Sequence, residues 1–352
     1  MVSITIVTWN SAPCLRECLA SVQRQDYHDI EVTILDNAST DGSREILREF
    51  EPHFRVIYRS ENAGFAAGQN QAIRNSRGEW ILCLNPDVLL RQDFVSRLVA
   101  AGEAHPGAGA ISGKLLRWEP AKLDGRTNTI DSTGVYFTRN MRHLDRGAEE
   151  VDRGQYDRVQ YVFAATGAAV MFRRAFVDAL SVEGEFFDEA FFSFREDGDL
   201  GWRAQLMGHK YLYTPHAVAW HVRRVTPERR QDLPHIINWH SVKNRWLMRG
   251  KNASWWLLWR LGVPVLWRDL QALGYALLRD RSMLSAIFYR LRPEVRRRLR
   301  RQREIIQSRR KVSDRELLWW FSNTPRAIEI VPPAQMVGPG YAVHGLASGE
   351  RH

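Results

Sequence analysis

Ile30-Glu31-Val32-Thr33-Ile34-Leu35-Asp36-Asn37-Ala38-Ser39-Thr40-Asp41-Gly42 is the stretch on which the fold turns. Its first six residues are β-branched or aliphatic apart from Glu31, the composition of a buried strand. The next seven are small or polar and end on glycine, which suits a tight loop. From Ser43 onward, Ile46, Leu47 and Phe50 recur at helical spacing. The same order of signals appears on both sides. Upstream, alternating residues over 2–8 read as a strand that enters Thr8-Trp9-Asn10-Ser11-Ala12-Pro13. Pro13 then opens a helix through Leu15, Leu19 and Val22. Downstream, a strand over 55–58 precedes Asn62-Ala63-Gly64-Phe65, a helix is expected over 66–75, and a strand over 80–84. Strands and helices alternating at this spacing predict an α/β fold with a mostly parallel central sheet and flanking helices. In such sheets ligands bind beyond the carboxyl ends of the strands, where Asn, Asp, Ser and Gly accumulate here.

The 352 residues, 44% of them hydrophobic, suffice for one large α/β domain with an appendage. The start, Met1 to Val7, has no basic segment and does not read as a signal peptide. Cys14, Cys18 and Cys83 are odd in number and poorly spaced for a disulfide frame or a metal cluster, which points to a reducing cytoplasm. The net charge of +10 is concentrated: residues 241–320 hold 20 Lys/Arg against 6 Asp/Glu. A basic block on a mildly acidic domain implies a dedicated anionic surface partner. The expected division is residues 1–235 as the α/β domain, 236–325 as a basic, aromatic helical region, and 326–352 as a flexible tail. Within the first part, 111–116 reads as a strand and 118–160 is polar and unassigned. Residues 161–172 alternate around Gly167, and 211–213 and 218–221 look like short strands.

Several groups at the expected strand ends have the chemistry of a site, each with a structural alternative. Asp36 can accept from a base N–H or a ribose hydroxyl, while Ser39, Asp41 or Ser43 would equally cap a helix. Asn85-Pro86-Asp87 ends an uncharged strand and places a carboxylate where a hard divalent cation could sit, yet it is also a turn sequence. Glu196-Asp197-Gly198-Asp199 follows an aromatic stretch that would raise its pKa values, as suits a general base. An acidic cluster is also favoured at a helix N-terminus. His221 can complete a metal site or act as a structural hydrogen-bonding group. Arg223 and Arg224 can bind diphosphate or remain solvated.

Taken together, Ile6-Val7-Thr8-Trp9-Asn10, Asp36 to Gly42, Asn62-Ala63-Gly64-Phe65-Ala66-Ala67-Gly68-Gln69-Asn70, Leu84-Asn85-Pro86-Asp87 and Glu196-Asp197-Gly198-Asp199-Leu200 resemble the family 2 inverting glycosyltransferases of GT-A fold. The resemblance is especially to the bacterial rhamnosyltransferase-like branch and covers about residues 2–225. It implies that Thr8, Asn10 and Asp36 hold the nucleoside, and that Asn62, Gly64, Phe65 and Asn70 close over the nucleotide-sugar. Asp87 would be the last carboxylate of the D-x-D metal motif, with Asn85 at its first position, and His221 a further metal or diphosphate ligand for Mg²⁺ or Mn²⁺. Asp197 would be the general base, with Glu196, Arg223 and Arg224 on the acceptor or diphosphate side. The implied donor is a dTDP- or UDP-sugar, rhamnose or another deoxysugar; the implied acceptor is a glycan or lipid-linked hydroxyl in cell-surface polysaccharide synthesis.

Three rivals fare worse. A nucleotide-sugar-forming nucleotidyltransferase needs a Gly-rich basic loop after the first strand, which Thr8-Trp9-Asn10-Ser11 lacks. An NAD-binding fold needs G-x-G-x-x-G there. A nucleic-acid-binding protein would leave the strand-end acids unexplained, so no nucleic-acid partner is expected. In the basic region, Trp246, Trp255, Trp256, Trp259, Trp267, Trp319 and Trp320 mingle with arginines. The apolar stretch 253–267 is interrupted by Arg260 and Pro264 and is short of a bilayer span. Aromatic and basic residues together suit an interfacial helix on anionic lipid, with Arg292 to Arg301 adding attraction; a helical subdomain or a homodimer contact is the alternative. The expected location is the inner face of a bacterial plasma membrane.

Overall fold

A computed structural model of the chain describes residues 1–122, 124–223 and 235–330. Strands β1 (Val2–Thr8), β2 (Ile30–Asp36), β3 (Arg55–Tyr58) and β4 (Trp80–Leu84) alternate with helices α1 (Ala12–Gln23), α2 (Ser43–Phe50) and α3 (Gly64–Arg74). All residues of β1 and β4 are buried, because helices cover both faces of these central strands; β3, at the edge, is half exposed. β1 pairs parallel with β2 and with β4, and the register sets Thr8 beside Asp36 and Ile6 beside Leu84. The chain then forms β5 (Val88–Leu90), α4 (Phe94–Ala104), β6 (Ala108–Trp118) and β7 (Arg126–Ser132). The stretch that carried no clear pattern also holds a hairpin of β8 (Val135–Phe137) and β9 (His143–Asp145).

The alternating stretch 161–172 spans the end of β10 (Gln160–Val162) and most of β11 (Ala169–Arg173), with Gly167 in the segment between them. After α5 (Arg174–Leu180) and α6 (Glu196–Leu206), the two short strands expected near 211 and 218 are one, β12 (Lys210–His221). A register shift between Tyr213 and Val218 makes β12 look interrupted in sequence. With β13 (Ile328–Glu329) at its edge, the main sheet runs β13-β10-β12-β6-β11-β4-β1-β2-β3. It is parallel through β4-β1-β2-β3 and mixed beyond β11, which pairs antiparallel with β4 and β6.

The basic region forms α7 (His235–Asn252), α8 (Trp255–Arg260), α9 (Gly262–Leu278), α10 (Met283–Phe288), α11 (Pro293–Ser308) and α12 (Asp314–Trp319). Packing is continuous across the expected boundary at 235/236: Leu247, Leu257, Ile306 and Trp320 share one core with Phe137, Phe163 and Trp202. Buried charge also crosses it. Lys251, 1% exposed, lies 2.5 Å from Asp188 and 2.9 Å from Asp199. Part of the expected tail is structural, since β13 pairs with β10; residues 331–352 lie outside the described residues.

Candidate active site

The carboxyl ends of β4, β1 and β2 lie side by side and carry the donor-side candidates. Asp36 is fully buried; Arg44 Nε donates to its Oδ2 at 2.7 Å and the Ser39 N–H donates to the same group. Asn10 accepts from the Thr40 N–H at 2.8 Å, fastening the first loop to the second. Asn10 (φ 49) and Ala38 (φ 61) both sit in the left-handed region, a strain that surrounding bonds must hold. Three buried oxygens at this edge, Thr8 Oγ1, Asn37 Oδ1 and Asn85 Oδ1, have no hydrogen-bond partner among the described residues. Unsatisfied buried groups of this kind are costly, and a polar ligand at the strand ends accounts for them.

The Asn62 segment closes the next side. Asn62 Oδ1 accepts from the Gly64 N–H at 2.8 Å, which starts α3, and Asn37 Nδ2 donates to the Gly64 carbonyl at 3.0 Å. Gly64 has φ +87, and a Cβ there would stand 2.5 Å from the Phe192 carbonyl oxygen, so only glycine lets these two backbones meet. Phe65 packs its edge on Phe187, with centroids 5.9 Å apart. Asn70 has a different part from the one expected. Its amide donates to the Phe187 carbonyl and to Glu189 and accepts from the Phe187 N–H, so it fastens α3 to the segment that precedes the Glu196–Asp199 cluster.

Asp197 stands in the first turn of α6. Its Oδ1 accepts from the Gly198 N–H at 2.7 Å and its Oδ2 from the Gly167 N–H at 3.2 Å. Burial raises its pKa, while those two N–H groups oppose the rise. Beside it Glu196 is pushed up to about 8 by burial and by the Asp197 charge, and its Oε2 has no partner among the described residues. Asp199 does not point the same way: it is fully buried and bonded to Arg203 (3.0 Å), Asn252 (2.7 Å) and Lys251. Of this acidic cluster, Asp197 keeps 17% of its side chain exposed, whereas Asp199 is the fully buried structural anchor of α7. The loop before the cluster is strained, with Phe192, Phe194 and Arg195 all at positive φ. α7 holds it there, since Asn244 Nδ2 donates to the carbonyls of Phe191, Ser193 and Phe194.

A chain of polar contacts runs from Asp87 toward Asp197. His221 Nε2 faces Asp87 Oδ1 at 3.5 Å, and His221 Nδ1 meets Asp131 Oδ2 at 2.8 Å. Burial alone would depress His221, but the carboxylates on either side raise it to about 10. Arg223 donates to Asp131 (3.3 Å) and Asp145 (2.6 Å), so its guanidinium holds two carboxylates together instead of taking the diphosphate role expected of it. At the other end of β9, His143 lies 3.8 Å from Asp197 Oδ1 and 3.1 Å from Arg195 Nη1. Burial and the Arg195 charge push His143 down to about 3, which leaves it neutral. Because Arg195 only donates, Nδ1 of His143 is the acceptor and the ring proton lies on Nε2, toward Asp197.

Residues 3–177 match the family described as Glycosyl transferase family 2. The chain is 25% identical over 303 residues to N-acetylglucosaminyl-diphospho-decaprenol L-rhamnosyltransferase of Mycobacterium tuberculosis, covering 79% of this chain and 94% of that one. It belongs to glycosyltransferase family 2. Two solved structures share its fold. GalNAc-T7 with UDP, GalNAc and Mn2+ aligns with a TM-score of 0.54 at 14% identity, over 71% of this chain and 48% of that one. S. aureus TarS aligns at 0.51 and 16% identity, over 88% of this chain and 54% of that one. The fold is therefore GT-A, and the protein is a glycosyltransferase.

In this transferase the donor set at Asp87 fits a divalent cation. One carboxylate and one imidazole are present, and Asp131 behind His221 fixes the ring so that Nε2 points at Asp87. Among the described residues no three His, Cys, Asp or Glu side chains cluster as a metal cage; Asp87 and His221 are the two candidate donors, and the imidazole, protonated between two carboxylates, would give up its Nε2 proton on binding a cation. Arg224 lies outside the described residues. A concavity of about 940 Å³ lies at the amino ends of β2 and β3, around Gln25, Glu31 and Arg77, and contains none of these groups. Sequence reading missed Asn37, Asp131, His143, Asp145 and Arg195. Asn37 alone had a local signal, since it follows Asp36 at a strand end; the others reach the site through long-range contacts.

Proposed function

We propose that this glycosyltransferase moves a sugar, with inversion at the anomeric carbon, from a nucleoside diphosphate to a hydroxyl of a lipid-linked or growing surface glycan. The observation that carries this reading is the polar chain Asp87–His221–Asp131–Arg223–Asp145, which shares β9 with His143 beside Asp197. In this reading the chain links the proposed cation donors, Asp87 and His221, to the proposed base, Asp197. Asp87 and His221 would hold Mg²⁺ or Mn²⁺. When bound, the cation neutralises charge growing on the leaving diphosphate. Thr8, Asn10 and Asp36 hold the nucleoside, with Asn85 and Asn37 offering their open oxygens to it. Asn62, Gly64 and Phe65 wall the sugar.

Asp197 accepts the acceptor hydroxyl proton as the oxygen attacks from the face opposite the diphosphate. Its raised pKa makes it a stronger base than an exposed carboxylate, and the Nε2–H of His143 steadies its charge. The similarity to the mycobacterial rhamnosyltransferase supports a deoxysugar carried on dTDP or UDP, and a polyprenyl-diphosphate-linked acceptor. Such an acceptor places the enzyme peripherally at the inner membrane face. Among the described residues no helix is long and apolar enough to cross a membrane. A panel of dTDP-, UDP- and GDP-sugars with Mn²⁺ tests the reading: one donor should raise the unfolding temperature and transfer with inversion seen by NMR of the product anomer. Retention of configuration would overturn it.

A further inference from the structure

We propose that α8 and α9 dock flat on an anionic lipid bilayer through one continuous stripe. The stripe is Trp255 (82% exposed), Trp259 (77%), Val263 (84%), Leu266 (60%), Trp267 (64%) and Leu270 (51%). These residues follow one another at three- and four-residue steps, so they share one face across the α8–α9 join. The opposite face is apolar as well: Leu257, Leu261 and Val265 are buried in the core shared with the catalytic domain. A helix that is apolar on both sides is covered on both sides when it works, and here only the inner side is covered. The proposal rests on the acceptor reading above for its purpose, and on these residues for its substance.

Charge decides between the possible covers. Arg260 is exposed within the stripe, and Arg279, Arg281, Arg290 and Arg292 are exposed beyond its far end. Of the nearby acids, Asp269 is already held by Arg245 and Arg249 and Asp280 accepts from the Ser282 N–H; with Glu294 the remaining exposed acid, the arginines outnumber the carboxylates and the rim is net cationic. Self-pairing of two copies would oppose arginine to arginine along that rim. An anionic headgroup layer satisfies the arginines while tryptophan and leucine enter the acyl boundary. A groove of about 420 Å³ beside the stripe, lined by Trp246, Leu266, Arg290 and Arg303, has the same mixed chemistry.

Part of the arginine run of α11 is taken up in internal pairs, while Arg296, Arg297 and Arg300 are exposed. Arg298 is bonded to Glu185 and Asp188 at 2.7 Å each, Arg301 to Glu183, and Arg303 to the carbonyls of Gly250 and Ala253. Docking is also tied to the site. α8 begins just after Asn252, which donates to Asp199 two residues from the base, so a docked α8–α9 face holds the cleft at a set attitude to the membrane.

The test is flotation of the full chain with vesicles of phosphatidylcholine alone or mixed with phosphatidylglycerol. Wild type should bind the mixed vesicles, weakening at least about tenfold without phosphatidylglycerol or at high salt. The double variant Trp259→Glu/Trp267→Glu should lose binding by at least about tenfold while its thermal unfolding and UDP binding match wild type. Equal binding by wild type and variant would overturn the proposal. So would a wild-type dimer, seen by ultracentrifugation, that ignores vesicles and is split by the variant. Vesicle binding by a protein that binds neither UDP nor dTDP would support the docking surface while refuting the donor reading.

Discussion

Replacing Asp197 by Asn removes a proton acceptor while keeping shape, and the structure separates its effects on chemistry from those on folding. Two backbone N–H groups, of Gly198 and Gly167, donate to the two carboxylate oxygens. Asn keeps one oxygen and turns its amide toward the other N–H, so one of these bonds is lost at about 1–3 kcal/mol of stability. Chemistry suffers more. A positioned general base contributes about 100- to 10,000-fold, which is about 2.7–5.5 kcal/mol of transition-state stabilisation. The donor-side groups Asp36, Asp87 and His221 are bonded to other residues, so nucleotide binding should be unchanged. The assay pairs steady-state transfer with calorimetric titration of UDP or dTDP in the presence of Mn²⁺. D197N should lose at least about 100-fold in kcat with the nucleotide Kd within error of wild type. A variant that keeps a tenth of the wild-type kcat, or that loses nucleotide binding in parallel with activity, would refute the assignment of Asp197 as base.

Asp199→Asn should give the opposite profile, because it strips charge from a fully buried carboxylate that faces Arg203 and Lys251; thermal unfolding should show a loss of about 3–5 kcal/mol. Glu196, ordinarily at 4.5 and here pushed up to about 8, is protonated in the folded protein over a range where the unfolded chain is ionised. Stability should therefore fall as pH rises between those values, and Glu196→Gln should flatten that slope in urea titrations run at several pH values. Asp131→Asn removes the group that orients His221 and should weaken Mn²⁺ binding by about 10- to 100-fold, read directly by electron paramagnetic resonance. An unchanged Mn²⁺ affinity would mean that His221 is not a ligand.

The βαβ half was legible because its signals are local. β1, β2 and β4 are central strands with apolar runs, and each ends in a loop of Asn, Asp, Ser or Gly. Thr8, Asp36, Asn85 and Asp87 could be placed together from order alone, since parallel strands bring successive loops to one edge. The half beyond residue 105 was less legible for an equally physical reason. β7 and the β8–β9 hairpin are short, mixed in polarity and partly exposed, so their side chains carry no clean two-residue period. Asp131, His143 and Asp145 lie on those strands.

What the sequence by itself determined is the parallel core, the chemistry of its strand-end loops and the presence of a separate basic, aromatic region. The tertiary structure alone decided which acid of Glu196-Asp197-Gly198-Asp199 is available and which is consumed. That choice depends on Lys251 and Asn252, more than fifty residues away, closing on Asp199 and leaving Asp197 to backbone N–H groups. It likewise decided that Arg223 and Arg298 are taken up in ion pairs with buried or half-buried carboxylates, while three tryptophans of α8 and α9 face outward. Charge and apolarity can be read along a chain, but which side chain pairs with which follows only from packing, because burial makes an unpaired charge too costly to leave.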